Sequence, residues 1–210
     1  MLYIGVDLGT SAVKLLMMDE NGNIQKIVSK EYPLYFPYPG WSEQNPQDWF
    51  AQSMEGIKEL TSECDKSQVA GISFGGQMHG LVVLDKEDQV IRPAILWNDG
   101  RTTKETDYLN QVIGKDKLSE YTANIAFAGF TAPKILWMKE NEPENYKKSQ
   151  RLCCQKIIWL TGFQVRFVQI CQMLRECCSW MWKTDVGQKK CLIFVDLSRN
   201  SFRSSMKAMR

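Results

Sequence analysis

The first residues of the chain have the types and spacing of an anion-binding turn. An apolar run ends at Asp7, a second one begins at Val13, and the polar break between them contains Gly9, Thr10 and Ser11, with Lys14 just beyond. Glycine lets the backbone approach a ligand closely, and successive amides and hydroxyls can surround phosphate oxygens. A carboxylate at a strand end, such as Asp7, could hold hydrated Mg²⁺ beside those phosphates. A β-hairpin with a merely polar turn has the same pattern, so this segment alone leaves both interpretations open.

A second candidate site lies in the segment GGQMHG, residues 75–80. Gln77, Met78 and His79 follow an apolar run, and ligands commonly bind beyond strand ends in α/β sheets. Short polar groups next to an apolar side chain suit a sugar, which has hydroxyls and a C–H face. His79 could instead be a structural, hydrogen-bonded imidazole, although the flanking glycines favour close approach of a ligand.

A third polar cluster contains Trp97, Asn98, Asp99 and Arg101. Asp99 and Arg101 could form a surface ion pair, which would contribute little, or they could orient sugar hydroxyls. The segment GFTAPKILW, residues 129–137, predicts mainly a helix start and core packing, with Thr131 as the cap and Pro133 at the first helical position.

The predicted elements that carry these segments alternate between strands and helices. Strands are expected at the first two apolar runs and at 24–32, 69–74, 81–84 and 90–97, and 33–41 reads as a loop. Helices are expected from the Asn45 cap to about residue 64, over 102–113 with an end at Gly114, and over 131–141. This order indicates an α/β fold with a mixed sheet and flanking helices. No G-x-x-x-x-G-K-[ST] segment occurs, which argues against a P-loop protein.

Four motifs occur in order within about 150 residues: DLGTS, GGQMHG, ILWNDGR and GFTAPKILW. Together they resemble the FGGY carbohydrate kinases, and within them the xylulokinases most closely. The resemblance implies an actin-like (ribonuclease H-like) ATPase domain in a two-domain kinase that uses ATP and Mg²⁺ to convert D-xylulose to D-xylulose 5-phosphate. It implies that Asp7 is associated with the metal through water and that Met78 and His79 contact the ketose. The expected nucleotide side is Asp7, Gly9, Thr10, Ser11 and Lys14, and the expected sugar side is Gln77, Met78, His79, Trp97, Asn98, Asp99 and Arg101.

Composition changes near residue 150. Residues 1–150 contain 15 basic and 21 acidic residues, whereas 151–210 contain 11 and 3, together with six of the seven cysteines. A basic, cysteine-rich tail could be a metal module or a nucleic-acid arm. The cysteine pairs lack C-x₂-C spacing and the one histidine is far upstream, so zinc is not expected. A genuine divergent tail is the other alternative.

The resemblance also stops near Ser149, and a shifted reading frame explains why. If each codon is displaced by one base, residues 153–161 permit LPKDYLAY, residues 168–174 permit TDMSDA, and both match the continuation expected of the family. Residues 151–210 are therefore predicted to be a poorly ordered out-of-frame tail, and the actin-like domain, residues 1–150, is predicted to be incomplete.

The expected function is that of a sugar-kinase fragment without activity. The family's base is an aspartate in a Gly-Gly-Asp-Asn segment, and the 210 residues contain no such segment. The alternative is a non-catalytic actin-like module that binds sugar or nucleotide. No apolar run approaches the roughly 20 residues of a membrane span, and no secretory signal is visible. A cytoplasmic protein without nucleic-acid or membrane partners is expected, and its oligomeric state stays open.

Overall fold

The computed structural model describes residues 1–153 and, beyond them, the backbone of two short strands at 180–181 and 186–187. Its main element is a four-stranded mixed sheet in the order β3-β2-β1-β5. The strands are β1 (Leu2–Leu8), β2 (Ala12–Asp19), β3 (Ile24–Glu31) and β5 (Val69–Gly76). β1 pairs with β2 and β2 with β3 in antiparallel fashion, whereas β1 and β5 are parallel. The predicted α/β class with a mixed sheet is therefore confirmed.

Alternation of apolar residues decides which face of this sheet is buried. Ile4, Val6 and Leu8 are at most 3% exposed, and the intervening residues of β1 are more accessible. Since side chains of a strand alternate between faces, this pattern places one face of β1 and β2 in the core. Helix α1 (Pro46–Leu60) packs against β2 and β3.

Local signals set both ends of the first helix and hairpin. The Asn45 side chain accepts from the Gln47 amide, as predicted for the cap, and Pro46 opens α1. The helix ends at Leu60, about four residues before the predicted end. In the β2–β3 turn, Gly22 has a φ of +85°, and the Asp19 carboxylate accepts from two amides of the turn.

Short strands build a second layer beside the main sheet. β4 (Glu43–Gln44) pairs with β7 (Ala94–Ile95), and β6 (Val82–Leu84) pairs with β8 (Arg151–Cys153), both antiparallel. An isolated bridge between Leu81 and Ile95 joins the two pairs. A second apolar cluster there unites β6 and β7 with helix α4 (Thr131–Asn141). The stretch 90–97, expected to be extended with an interruption at Pro93, forms a ladder only at Ala94–Ile95, and before Pro93 it makes an isolated bridge from Val90 to Leu84.

The helical region after residue 102 differs from the prediction. Instead of one helix over 102–113, the chain forms α2 (Thr103–Asp107), a π-helical segment (Tyr108–Gly114) and α3 (Lys115–Thr122). Gly114, with a φ of +100°, marks a break, but a new helix begins at the next residue. A third apolar cluster, formed by Leu109, Leu118, Ala126 and Ala132, holds this region against α4.

Three smaller corrections concern element ends. β5 continues through Gly75 and Gly76, which were expected in a loop. Thr131 does not cap α4: Phe130 is the preceding residue, and no side chain caps this helix. Helix α4 ends at Asn141, as predicted, but a short helix that was not predicted, α5 (Pro143–Lys148), begins two residues later.

The described part of the tail is small. The three residues of β8 lie against β6, and Cys153 is 4% exposed within the main core. β9 (Trp180–Met181) and β10 (Val186–Gly187) form an antiparallel pair. The predicted disorder of the tail, and the other cysteines assigned to it, fall outside the described residues. Within the described residues, no helix has the length and apolar character needed to cross a membrane.

Candidate functional site

The turn between β1 and β2 is tight and requires glycine. The Gly9 amide donates to the Ala12 carbonyl at 3.0 Å. A Cβ atom added at Gly9 would lie 2.9 Å from that same oxygen, which real side chains do not tolerate. Ser11 is exposed beside it. The sequence prediction of a glycine-dependent polar turn at this place therefore agrees with the structure.

Buried side chains that the sequence did not reveal hold this turn in place. The Tyr32 hydroxyl donates to the Gly9 carbonyl. The Gln44 amide donates to the Thr10 carbonyl at 2.6 Å, and its oxygen accepts from the Trp49 indole at 3.0 Å. Because Gln44 is 1% exposed, its full use of donor and acceptor avoids the cost of burying an unpaired amide. The side chains of Tyr32 and Gln44 therefore hold the backbone of the turn in place in the absence of a ligand.

An open row of residues crosses three strands next to the turn. Asp7 lies opposite Lys14 on β2 and opposite Gly75 on β5, and Asp7 and Lys14 are both exposed. Directly opposed residues point to the same face of a sheet. Gly75 leaves space there, since a Cβ atom at this position would lie 3.4 Å from Asp7 Oδ1. Asp7 is therefore an accessible carboxylate with a cation as its cross-strand neighbour.

The charge of Asp7 also acts on the support below the turn. Burial raises the pKa of Tyr32 above its ordinary value, and the negative charge of Asp7 raises it further. Tyr32 consequently stays protonated and remains a hydrogen-bond donor to Gly9 across the physiological pH range.

The first turn meets the other two motifs at a single hydroxyl. Thr10 Oγ1 accepts from the Gln77 amide and, at 3.3 Å, from the Trp97 indole. A hydroxyl has two acceptor positions and one proton to donate, so both contacts leave that proton available. The Gln77 backbone amide additionally donates to the Leu8 carbonyl at 3.2 Å. Gln77 and Trp97, which follow Thr10 by 67 and 87 positions in the sequence, are thereby brought to one point.

His79 is the centre of a three-residue turn. Its φ is +69°, and the Gly80 amide donates to the Met78 carbonyl at 2.9 Å. This combination is that of a γ-turn with positive φ, which is rare and strained for a residue other than glycine. Met78, the residue before His79, is 37% exposed.

Aromatic rings border the His79 side of the site. The imidazole stacks on Phe130, with 4.6 Å between ring centroids and 20° between planes. Phe130 in turn contacts Phe127 edge-on at 5.2 Å. Phe127 and Trp97 are 48% and 46% exposed, so apolar surface is available beside the polar groups. Such surface suits the C–H face of a sugar.

Asp99 and Arg101 form an ion pair that is buried, which corrects the interpretation of a surface pair. Their side chains are 0% and 1% exposed. The Asp99 carboxylate accepts from the Ser42 amide at 2.6 Å and from Arg101 Nε at 2.9 Å. The role of the two residues toward sugar hydroxyls stays a prediction. Their contacts hold the loop that presents Trp97 and the exposed Asn98.

Arg101 extends this network into the second layer. Its Cζ lies 3.6 Å from the centroid of the Trp41 ring and 4.8 Å from that of Trp137, and Nη2 lies 2.8 Å from Glu43 Oε1. Glu43 also pairs with Arg92. The attraction between a guanidinium and the faces of nearby aromatic rings is strongest where the group is desolvated. The network is a structural support beneath the site.

The arrangement can accommodate a nucleotide phosphate and its metal on one side and a polyol on the other. Among the described residues, no group of three or more His, Cys, Asp or Glu side chains is placed to hold a metal. An exposed single carboxylate such as Asp7 fits Mg²⁺, which usually keeps several waters and takes its remaining ligands from phosphates.

Comparison with known proteins identifies the family of the chain. The model of the FGGY family of carbohydrate kinases, N-terminal domain, matches residues 2–209. The xylulose kinase of Bacillus subtilis is 49% identical over 148 residues, which are 70% of this chain and 30% of that protein. The chain therefore spans less than a third of the length of that relative.

Solved structures share the fold. The ligand-bound xylulose kinase from Lactobacillus acidophilus has a TM-score of 0.86 at 25% identity, over 95% of this chain and 41% of its own. A gluconate kinase from the same organism has a TM-score of 0.87 at 25% identity, over 95% and 40%. Both are kinases of the actin-like type that the motifs implied. The chain belongs to the FGGY family of carbohydrate kinases.

Proposed function

We propose that this chain binds D-xylulose and the phosphate end of ATP as the N-terminal part of a kinase that forms D-xylulose 5-phosphate. The observation that carries the proposal is the shared hydroxyl of Thr10, which contacts both Gln77 and Trp97. A phosphate turn and a sugar site in direct contact are what phosphoryl transfer requires, because this reaction depends mainly on positioning and charge stabilisation.

Each side of the site has a separate task in this proposal. Gly9, Thr10 and Ser11 would hold phosphate oxygens through backbone amides and hydroxyls, and Lys14 would add positive charge. Asp7 would hold Mg²⁺ through water, and the ion would neutralise charge on the phosphates. Gln77, His79 and Asn98 would bind sugar hydroxyls, while Met78 and Trp97 would cover the C–H face.

The choice of D-xylulose rests on sequence similarity. A xylulose kinase and a gluconate kinase match this fold equally well, so the fold alone does not select the sugar. The 49% identity to a xylulose kinase favours the ketopentose. We propose further that the chain alone binds its sugar without transferring phosphate, since its 210 residues contain no Gly-Gly-Asp-Asn segment.

Isothermal titration with D-xylulose, gluconate and glycerol tests the sugar assignment. We expect saturable binding of D-xylulose and weaker binding of the other two. Met78→Ala should raise the Kd for D-xylulose by roughly tenfold, as loss of apolar contact worth about 1.4 kcal/mol would do. Met18→Ala is the matched control, because Met18 and Met78 are each 37% exposed. Equal effects of both substitutions would contradict the assignment.

A coupled assay of ADP release with D-xylulose and MgATP tests the second half of the proposal. We expect binding without turnover. Sustained ADP release that depends on D-xylulose would show that the chain is a complete catalyst and would overturn the claim of inactivity.

A further inference from the structure

Lys134 is a buried cation whose ammonium group contacts the backbone of the candidate site at His79. It is the fourth residue of α4 and is 0% exposed. Its Nζ donates to the His79 carbonyl at 2.9 Å and to the Gly129 carbonyl. Neither backbone oxygen belongs to the helix that carries the lysine, so the ammonium joins α4 to two separate segments.

Two effects make this position energetically unfavourable for an ammonium group. Burial of a charge is unfavourable unless polar partners replace its water. A helix N-terminus, moreover, carries partial positive charge and disfavours cations. A long apolar side chain would fill the same space without either cost. The hydrogen bonds to these carbonyl oxygens are therefore what lysine provides at this position and an apolar side chain would not.

A second donor from the same helix contacts the same oxygen. Thr131 Oγ1, on the first residue of α4, donates to the His79 carbonyl at 3.1 Å. Phe130, the residue before it, stacks on the His79 imidazole. The start of α4 thus holds both the carbonyl and the ring of the residue whose backbone has a φ of +69°.

Gly129 extends the same contact to the Trp97 side of the site. A Cβ atom at Gly129 would lie 2.5 Å from the Trp97 carbonyl oxygen, so the two backbones touch. Because Lys134 holds the carbonyls of both Gly129 and His79, one ammonium sets the spacing between the segments that carry His79 and Trp97.

We propose that Lys134 and Thr131 are positioning residues that maintain the strained turn at His79 and so direct its imidazole and Met78 toward the sugar. The statement about the turn stands on the geometry of the chain itself. The statement about the sugar rests on the proposed function.

The single histidine of the chain makes the turn directly observable. In protein labelled with ¹³C only in histidine, all imidazole signals come from His79. Its ring protons lie over Phe130 and should be displaced from the position of a free imidazole. We expect Lys134→Met to move these signals toward the free position, in the absence of any ligand. Lys139→Met is the matched control, since Lys139 is an exposed lysine on the same helix, and it should leave them unchanged.

Thr131→Val keeps the proposal testable if Lys134→Met does not fold. It removes one donor to the His79 carbonyl and retains the shape of the side chain, and Thr131→Ser restores the hydroxyl. We expect the His79 signals to move in the valine variant and to return in the serine variant. Unchanged signals in folded Lys134→Met, or in Thr131→Val, would overturn the positioning role.

Titration with D-xylulose separates this proposal from the proposed function. Loss of the Lys134 contact should raise the Kd by about tenfold, with Lys139→Met within twofold of the parent chain. If the parent chain binds no D-xylulose, the proposed function fails, and the ligand-free NMR measurement still decides the role of Lys134. If the signals move but the Kd does not, the link from the turn to the sugar is wrong.

Discussion

Thr10 shows how much a single side chain can organise. Its hydroxyl accepts from Gln77 and Trp97, and its carbonyl accepts from Gln44, so three distant segments depend on one residue. The neighbouring Ser11 has the same functional group but an exposed position. The chemical type of a residue in this turn therefore does not determine its role.

The substitution Thr10→Val should separate the turn from the sugar motifs. Valine has a similar shape but offers no acceptor to the Gln77 amide or the Trp97 indole. We expect the Kd for D-xylulose, measured by isothermal titration, to rise by about tenfold. Ser11→Ala should leave it within twofold. If the two variants bind D-xylulose equally well, the contact at Thr10 does not support the sugar site.

Glu105 makes stability depend on pH. It is 5% exposed, and among the described residues Oε2 has no hydrogen-bond partner. Burial raises the pKa of Glu105 above its ordinary value of 4.5, so the folded chain binds this proton more tightly than the unfolded chain. Stability from this group is complete below about pH 4.5 and falls as pH rises toward the higher folded pKa.

The variant Glu105→Gln should abolish the loss of stability that Glu105 causes as pH rises. At pH 7 we expect its free energy of unfolding in urea to exceed that of the parent chain by roughly 1 kcal/mol, because no buried charge forms. At pH 4 the difference should vanish. Asp107→Asn, an exposed acid on the same helix, should show no such dependence. A constant difference at both pH values would contradict the assignment.

At the scale of elements, the parts that were predictable are those with local causes. The strands of the main sheet follow from alternation of apolar residues, and α1 follows from Asn45 and Pro46 at its start. Thr131 was misread as the cap because α4 begins one residue earlier than expected, with Phe130 in the cap position. Its hydroxyl donates to the carbonyl of His79, 52 residues away, a partner that sequence spacing does not show.

The same limit applies to the candidate site. Motif spacing indicated which segments contain it, and Thr10, Gln77 and Trp97 do meet. The buried polar supports were missed, because Tyr32 and Gln44 resemble ordinary strand residues until their partners are known. The burial of Asp99 and Arg101 was missed for a related reason: nothing local to ILWNDGR shows that Trp41 and Trp137 lie next to the guanidinium.

The segment before α4 depends on a glycine. Gly129→Ala would bring a methyl group to 2.5 Å from the Trp97 carbonyl oxygen, so one of the two segments must move. We expect a loss of about 1–3 kcal/mol in the free energy of unfolding, together with weaker binding of D-xylulose. In Gly71→Ala the nearest atom is 3.9 Å away, on the Tyr3 ring, and stability should change little. Similar losses in both variants would show that the Trp97 contact is not responsible.

At the scale of the whole molecule, two observations on the residues beyond 150 favour different origins of the tail. Family similarity covers residues 2–209, which favours a tail in its original frame. The change in charge and in cysteine content at the same place favours a shifted frame. β8 agrees with either, because its three residues pair through the backbone.

Sequencing of the gene around the codon for Ser149 decides between these two accounts. We expect one base to be missing there, and its restoration should yield a continuation containing LPKDYLAY. The repaired chain should then express as a longer protein with D-xylulose-dependent ADP release. An intact frame at this position, read on both strands, would contradict the shifted-frame account.

The contact of Thr10 with both sides of the site has a thermodynamic consequence. A phosphate that fixes the Thr10 hydroxyl also restricts Gln77 and Trp97, and a sugar that orders those two side chains restricts the hydroxyl. Each substrate should then strengthen the affinity for the other, and linkage requires the two enhancement factors to be equal. The two substrates would in that case bind cooperatively, and the Thr10 Oγ1 atom would couple their binding sites.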